Sequence, residues 1–175
     1  MIILISGATH TGKTAFAQKL LKEYGFPYYS IDHIKMGLIR SGQTTLTPLD
    51  DDKLTPYLWG IVKEIVKTAI ENRQNLIIEG CYIPFDYKYD FDEEYLKEIE
   101  FRCLIMSENY IENHFDDIIK YENAVEKRLC TDISKEQLIA ENNRNLQLCK
   151  RYNLNYILID KNYEDDICTH RLKLI

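Results

Sequence analysis

Hydrophobic positions fall along this chain in two alternating rhythms: compact apolar runs of about five residues, and longer stretches with apolar side chains three or four apart. The first run, Ile2–Ser6, ends at Gly7 and reads as a strand; Lys13–Tyr24 follows with Ala17, Leu20 and Leu21 on one helical face and Gly25 as its stop. Pro27–Ile31 reads as a short second strand. Asn75–Glu79 closed by Gly80, Phe101–Met106, and Asn155–Ile159 read as the third to fifth. Strands alternating with helical patterns indicate βαβ units and a mostly parallel sheet, hence an α/β protein.

Between strands two and three lies an insertion longer than one crossover helix requires, about residues 32–74. Asp32–Ser41 is expected to be helical, followed by a loop to about Lys53. A second helix is expected to start at Thr55-Pro56, because proline at the first helical position has no amide to leave unsatisfied. Its buried stripe would be Leu58, Ile61, Val62, Ile65 and Ala69. Ser107 is placed to cap a helix carrying Ile111, Phe115, Ile118 and Ile119. Ser134 and Gln137 match a capping box, with that helix running to about Tyr152 and a short helix expected over the last dozen residues.

Composition narrows the class. The 175 residues suit one domain with a sizeable core. A formal net charge of −6 argues against a nucleic-acid partner, whose phosphates are met by Lys and Arg. It leaves room for a small anionic ligand at a locally positive site. The five cysteines, Cys81, Cys103, Cys130, Cys149 and Cys168, form no C-x-x-C pair, so neither a zinc knuckle nor a disulfide framework is indicated. No signal peptide is visible and no run reaches the roughly 18 apolar residues that span a bilayer. A cytoplasmic protein with no membrane partner is expected; oligomeric state is not encoded in this pattern.

The chemistry concentrates in Gly7-Ala8-Thr9-His10-Thr11-Gly12-Lys13-Thr14, which satisfies G-x-x-x-x-G-K-[ST]. Such a loop turns successive backbone amides inward on the α and β phosphates of a nucleotide. Lys13 reaches the β and γ phosphates, and the Thr14 hydroxyl ligates Mg²⁺. Helix one begins there and adds its positive end. His10 occupies a variable position of the loop and is expected at the surface. Strand three ends Leu-Ile-Ile-Glu-Gly rather than in D-x-x-G, and Ile159-Asp-Lys-Asn is not N-K-x-D, which disfavours a GTP-dependent switch.

With the P-loop, Ser30–Arg40 (S-I-D-H-I-K-M-G-L-I-R) and Leu76–Gly80 (L-I-I-E-G), the first half of the chain resembles the small P-loop kinases: the adenylate-kinase-like, 2-phosphoglycerate-kinase and zeta-toxin-type group. The resemblance implies a three-layer fold with a five-stranded parallel sheet in order 2-3-1-4-5, helices on both faces and a short lid. It implies ATP and Mg²⁺ as cofactors and a small-molecule phosphoryl acceptor bound in the insertion. Two alternatives stand beside it, a zeta-toxin-like nucleotide-sugar kinase and a nucleotide-binding regulatory protein without catalysis.

Ligands of open α/β sheets sit beyond the carboxyl ends of the strands, and this rule sorts the remaining candidates. Asp32, just past strand two, would hold or deprotonate the acceptor hydroxyl, as the resemblance to zeta-type kinases implies; a plain helix cap is the competing reading. Glu79, ending strand three, would hold a metal-bound water or the acceptor; an ordinary strand-end carboxylate is the competing reading. Arg40 is a candidate acceptor ligand or an ordinary surface residue. The lid implied by the resemblance falls at about 121–133 and contains Arg128; Arg144, on the next helix, would project inward near that helix's start. Tyr82, Asp86 and Tyr87 either wall the acceptor pocket or belong to a surface-packed loop. Arg73, Arg102 and Arg151 precede strands and are expected at the opposite edge.

Overall fold

The computed structural model describes residues 1–120 and 133–168. Five parallel strands, β1 Ile2–Gly7, β2 Tyr28–Ser30, β3 Leu76–Glu79, β4 Ile99–Met106 and β5 Tyr156–Ile159, form one sheet in the order β2-β3-β1-β4-β5. The helices are α1 Lys13–Tyr24, α2 Ile31–Arg40, α3 Asp51–Glu71, α4 Glu93–Leu96, α5 Glu108–Lys120, α6 Lys135–Arg151 and α7 Tyr163–Cys168. This is the expected P-loop architecture, strand order included.

The continuous apolar runs follow from a sheet covered on both faces, which leaves no solvent side for polar residues to occupy. Successive side chains point to opposite faces. Ile2 and Leu4 thus join Leu58, Val62 and Val66 of α3 in one core, while Ile3 and Ile5 join Phe16, Ala17 and Leu20 of α1 in the other. Ile111 and Ile118 of α5, Leu138 of α6 and Ile167 of α7 complete that second layer. Leu58 is fully buried, so truncation to alanine is expected to cost about 2–5 kcal/mol. Cys103 and Cys149 are buried as small hydrophobes in the first core, but Cys81 is exposed.

Caps behave as the sequence suggests. The Ser107 hydroxyl accepts from the Tyr110 amide at 3.0 Å, and Ser134 with Gln137 forms a reciprocal capping box at α6.

Several boundaries differ. Helix α3 starts at Asp51, so Pro56 is its sixth residue and not its first. Asp50 fixes the earlier start by accepting from the amide and hydroxyl of Thr47 at 2.8 and 2.7 Å. Asp51 and Asp52 favour the positive end of the helix. Pro56 and Asp52 are both exposed, so water can meet the carbonyl that lacks its usual amide. Strand β4 begins at Ile99, which puts Arg102 within it rather than before it; its guanidinium pairs with Glu100 on the same side of the strand. Between β3 and β4 the chain makes a 3-10 turn, Tyr87–Asp90, and the single-turn α4. Asp90 anchors that turn to α3, accepting from Trp59 Nε1 at 2.8 Å and Lys63 Nζ at 2.9 Å.

The strand register decides where chemistry can gather. Ser30 lies beside Glu79, Glu79 beside Ile5, and Gly7 beside Leu104, so β2 and β3 end side by side while β1 runs two residues further into the glycine loop. Among the described residues no helix is long and apolar enough to cross a membrane.

Candidate active site

The loop from Gly7 to Lys13 joins β1 to α1 under tight steric limits. A Cβ at Gly7 would stand 2.6 Å from the Leu104 carbonyl oxygen, and one at Gly12 would overlap the Tyr163 hydroxyl. Gly12 also has φ 76°, which glycine adopts without strain. Ala8 is buried and its carbonyl gathers two donors, Thr11 Oγ1 and Lys13 Nζ, each at 2.8 Å. The ammonium is thus folded back onto the loop, with Lys13 only 6% exposed. Helix α1 has no side-chain cap and no acid in its first turn, which leaves its positive end uncompensated and suited to an anion. Thr9 lies partly open in the loop. His10 is buried (8%) with φ 62°, contrary to the expected surface position, because the left-handed turn directs it inward.

Beneath the loop, Thr14 Oγ1 donates to Glu79 Oε1 at 3.1 Å, joining α1 to the end of β3. Glu79 is buried (2%), and its register neighbour Ser30 has a buried hydroxyl without a hydrogen-bond partner. Hydroxyl and carboxylate oxygens are the donors that Mg²⁺ prefers, and an orphaned buried hydroxyl is a group that a metal-bound water would satisfy. The residues present therefore fit a nucleotide phosphate chain with its Mg²⁺. Ser30 was not among the expected site residues; its place directly before Ile31 and Asp32 was the available signal.

A second cluster stands across the sheet edge. Asp32 and Lys35, one turn apart on α2, form an ion pair. Lys35 Nζ donates to the Tyr82 hydroxyl at 3.0 Å, and that hydroxyl donates to Asp51 Oδ1 at 2.8 Å. Lys35 also lies 5.0 Å from the centre of the Tyr82 ring. Tyr82 is therefore buried and engaged at both ring and hydroxyl, and it offers no face on which a base could stack. Burial first, then the neighbouring Cys81 and Asp51, drives its phenol well above the usual range. Tyr87 stacks on Phe101 in the core at 5.3 Å, and Asp86 is exposed.

Cys81 links the two clusters. Its side chain is open to solvent, yet surrounding protein raises its thiol; Lys13, Asp32, Lys35 and Asp51 are the charges that act on it. Cys81 directly precedes Tyr82, whose hydroxyl ties Lys35 to Asp51, and Lys35 pairs with Asp32, so these groups gather where the chain leaves β3 at the carboxyl edge of the sheet.

The start of α7, reached by the loop after β5, meets the cradle as well. The Tyr163 hydroxyl donates to the Gly12 carbonyl at 2.9 Å, and burial raises its phenol. Asp166 Oδ2 accepts from the amides of Asp160, Lys161 and Asn162 at 2.9, 3.0 and 3.2 Å, which shapes this loop. These hydrogen bonds hold the Asp166 carboxyl below its ordinary range. No short-range pattern pointed to Tyr163, which lies 151 residues from its partner.

Other candidates are not brought in. Arg40 is exposed at the end of α2, about 12 Å along the helix from Asp32. Arg144 is the tenth residue of α6, not near its start; it is exposed, while Leu138, Asn142, Asn145 and Cys149 form the buried face. Arg128 and the expected lid up to residue 132 lie outside the described residues. Hollows of about 400 and 390 Å³ sit at the opposite edge, where Ile99, Glu100 and Asn155 line both. They contain neither the glycine loop nor Asp32, and in open sheets ligands bind at the carboxyl ends. Position and chemistry, rather than volume, select the glycine-loop recess.

No protein-family model and no curated protein sequence matches the chain. Solved structures match it along nearly its whole length. A gluconokinase from Sinorhizobium meliloti 1021 is 15% identical with a TM-score of 0.54, covering 95% of this chain and 86% of that one. A shikimate kinase from Bacteroides thetaiotaomicron is 10% identical with a TM-score of 0.54, covering 97% and 95%. An uncharacterized protein from Eubacterium ventriosum ATCC 27560 is 14% identical with a TM-score of 0.51, covering 97% and 94%. At such identities the likeness is one of architecture, and the chain has the fold of P-loop small-molecule kinases.

Proposed function

We propose that the protein is a kinase that uses ATP·Mg²⁺ to phosphorylate a hydroxyl group of a small molecule. The observation that carries this reading is that the glycine loop with Lys13 and the Asp32–Lys35 pair of α2 both stand at the carboxyl edge of the sheet, where β1, β3 and β2 end. Thr14 and Glu79 meet beside it. A nucleotide-binding protein without phosphotransfer would need only the first set.

Bound Mg²⁺·ATP supplies the phosphoryl group and a metal charge that spreads the negative charge of the transferring group. The loop amides and the amino end of α1 hold the phosphates. Lys13 Nζ exchanges the Ala8 carbonyl for the β and γ oxygens. Thr14 Oγ1 would ligate the metal, with Glu79 holding one of its waters and Ser30 completing the polar floor. Across the recess Asp32 takes the proton of the acceptor hydroxyl as its oxygen bonds to the γ phosphorus and the bond to the leaving ADP oxygen breaks. Lys35 orients Asp32 for that task. Most of the rate enhancement in this reading comes from position and fixed charge. Arg128 is carried forward as the residue that brings further positive charge from the 121–133 segment.

An ADP-release assay over nucleosides, sugars, sugar acids, phosphoglycerates and nucleotide sugars tests the proposal. ADP formation that depends on an acceptor and disappears in Lys13→Ala supports it. ATP hydrolysis that no acceptor accelerates would sink it.

A further inference from the structure

Resting on that kinase reading, we infer that the acceptor carries no negative charge: it is an uncharged polyhydroxy compound or one bearing an amine, not a carboxylate or a phosphate ester. The inference comes from the charge left over on the acceptor side of the recess. Lys13 and Arg128 are assigned to the nucleotide phosphates, which leaves, among the described residues of this cluster, one ammonium, Lys35, against two carboxylates, Asp32 and Asp51, a net charge of −1.

That ammonium has little to offer a ligand. Lys35 is paired with Asp32, donates to the Tyr82 hydroxyl and covers the Tyr82 ring, and its side chain is only 13% exposed. An anionic acceptor would have to take Lys35 away from Asp32 and so leave the base uncompensated beside a second negative charge. Among the described residues, the other cations of these segments do not relieve this. Arg40 is exposed two turns away on α2, and Lys53 is 72% exposed and turned 3.7 Å from Asp50.

The carboxylates are the available groups. Asp51 is exposed at the start of α3, and Asp32 stands half-open at the start of α2. Each accepts more hydrogen bonds than its protein partners supply. Hydroxyl and ammonium groups of a ligand are donors that complement them, with charge assistance. The segments that supply this side, α2, the start of α3 and the residues just after β3, thus form a recess that recognises donors.

ADP release at saturating Mg·ATP, measured with size-matched acceptors in three arms, tests the inference: neutral sugars and polyols, amino sugars and amino alcohols, and sugar acids with sugar phosphates. The expected result is a best kcat/KM in the first or second arm, at least ten-fold above the anionic arm. Asp51→Asn should raise KM for amine-bearing acceptors about ten-fold while leaving KM for ATP unchanged. Protection of Cys81 from alkylation, read on its own peptide, reports acceptor binding without turnover and should follow the same order. A carboxylate or phosphate ester as best acceptor, or as best protector of Cys81, overturns this inference and leaves the kinase reading intact. No acceptor-dependent ADP in any arm, with Lys13-dependent ATP binding retained, removes the kinase reading and this inference together.

Discussion

The two sides of the recess are built differently. On the kinase reading the nucleotide side lies in eight consecutive residues, Gly7–Thr14, and its ligand groups would be mainly backbone amides. The other side is gathered from α2, the start of α3 and the residues after β3, and its central hydroxyl bonds residues 47 and 31 positions away. A backbone cradle tolerates side-chain change at its variable positions but not a Cβ at Gly7 or Gly12. A side-chain cluster can change specificity one residue at a time while the sheet below stays the same. On the present reading the first side fixes the reaction and the second chooses the acceptor.

Substitutions should separate the sides in order of effect. Lys13→Ala should lower kcat/KM by about 10³-fold or more and weaken ATP binding, because a fixed charge at the transferring group is lost. Steady-state kinetics with nucleotide titration would read both, and normal ATP affinity would place the phosphates elsewhere. Next, Asp32→Asn should lower kcat about 10²–10³-fold with ATP affinity retained, as for loss of a general base; unchanged kcat would reduce Asp32 to a first-turn acid of α2 paired with Lys35, since Ser30 and not Asp32 holds the cap position.

Smaller effects should follow from the supporting groups. Tyr82→Phe removes the hydroxyl between Lys35 and Asp51 and should raise acceptor KM about five-fold, near the worth of one hydrogen bond. An equal rise in KM for ATP would show that the two sides are not independent. Smallest is an effect away from the recess. The Trp59 indole and the Lys63 ammonium hold the Asp90 carboxyl below its ordinary range. As pH falls, the unfolded chain therefore takes up this proton first. The stabilisation is present above about pH 3.9 and is lost as pH falls through the lower folded value. Asp90→Asn should lower neutral-pH stability by roughly 1 kcal/mol and flatten the acid limb of denaturant midpoints; an acid limb as steep as wild type would contradict this.

What could be read in advance follows the same division. The apolar run of β1, the glycine loop and the helix behind it are local signals, and strand order followed from the resemblance those residues carry. The positions of Asp32, just past β2, and Glu79, ending β3, were legible from the strand boundaries. Lys35 was within reach, since i and i+3 share a helix face, but its bond to Tyr82 depends on how α2 packs against the exit of β3. For Tyr82 the sequence left open a pocket wall or a surface-packed loop; it is buried and braces Lys35. The start of α3 was misplaced because Pro56 resembles a first-turn proline, whereas the Thr47–Asp50 hydrogen bonds set the boundary. Tyr163 and the inward turn of His10 were not visible, because each depends on the folded loop rather than on neighbours in the chain.

The most direct measurement is a crystal structure with Mg²⁺ and a non-hydrolysable ATP analogue. The expected density has the β and γ phosphates within Gly7–Thr14, with Lys13 Nζ moved off the Ala8 carbonyl onto phosphate oxygen. An analogue bound elsewhere, with the Lys13–Ala8 contact intact, would contradict the assignment.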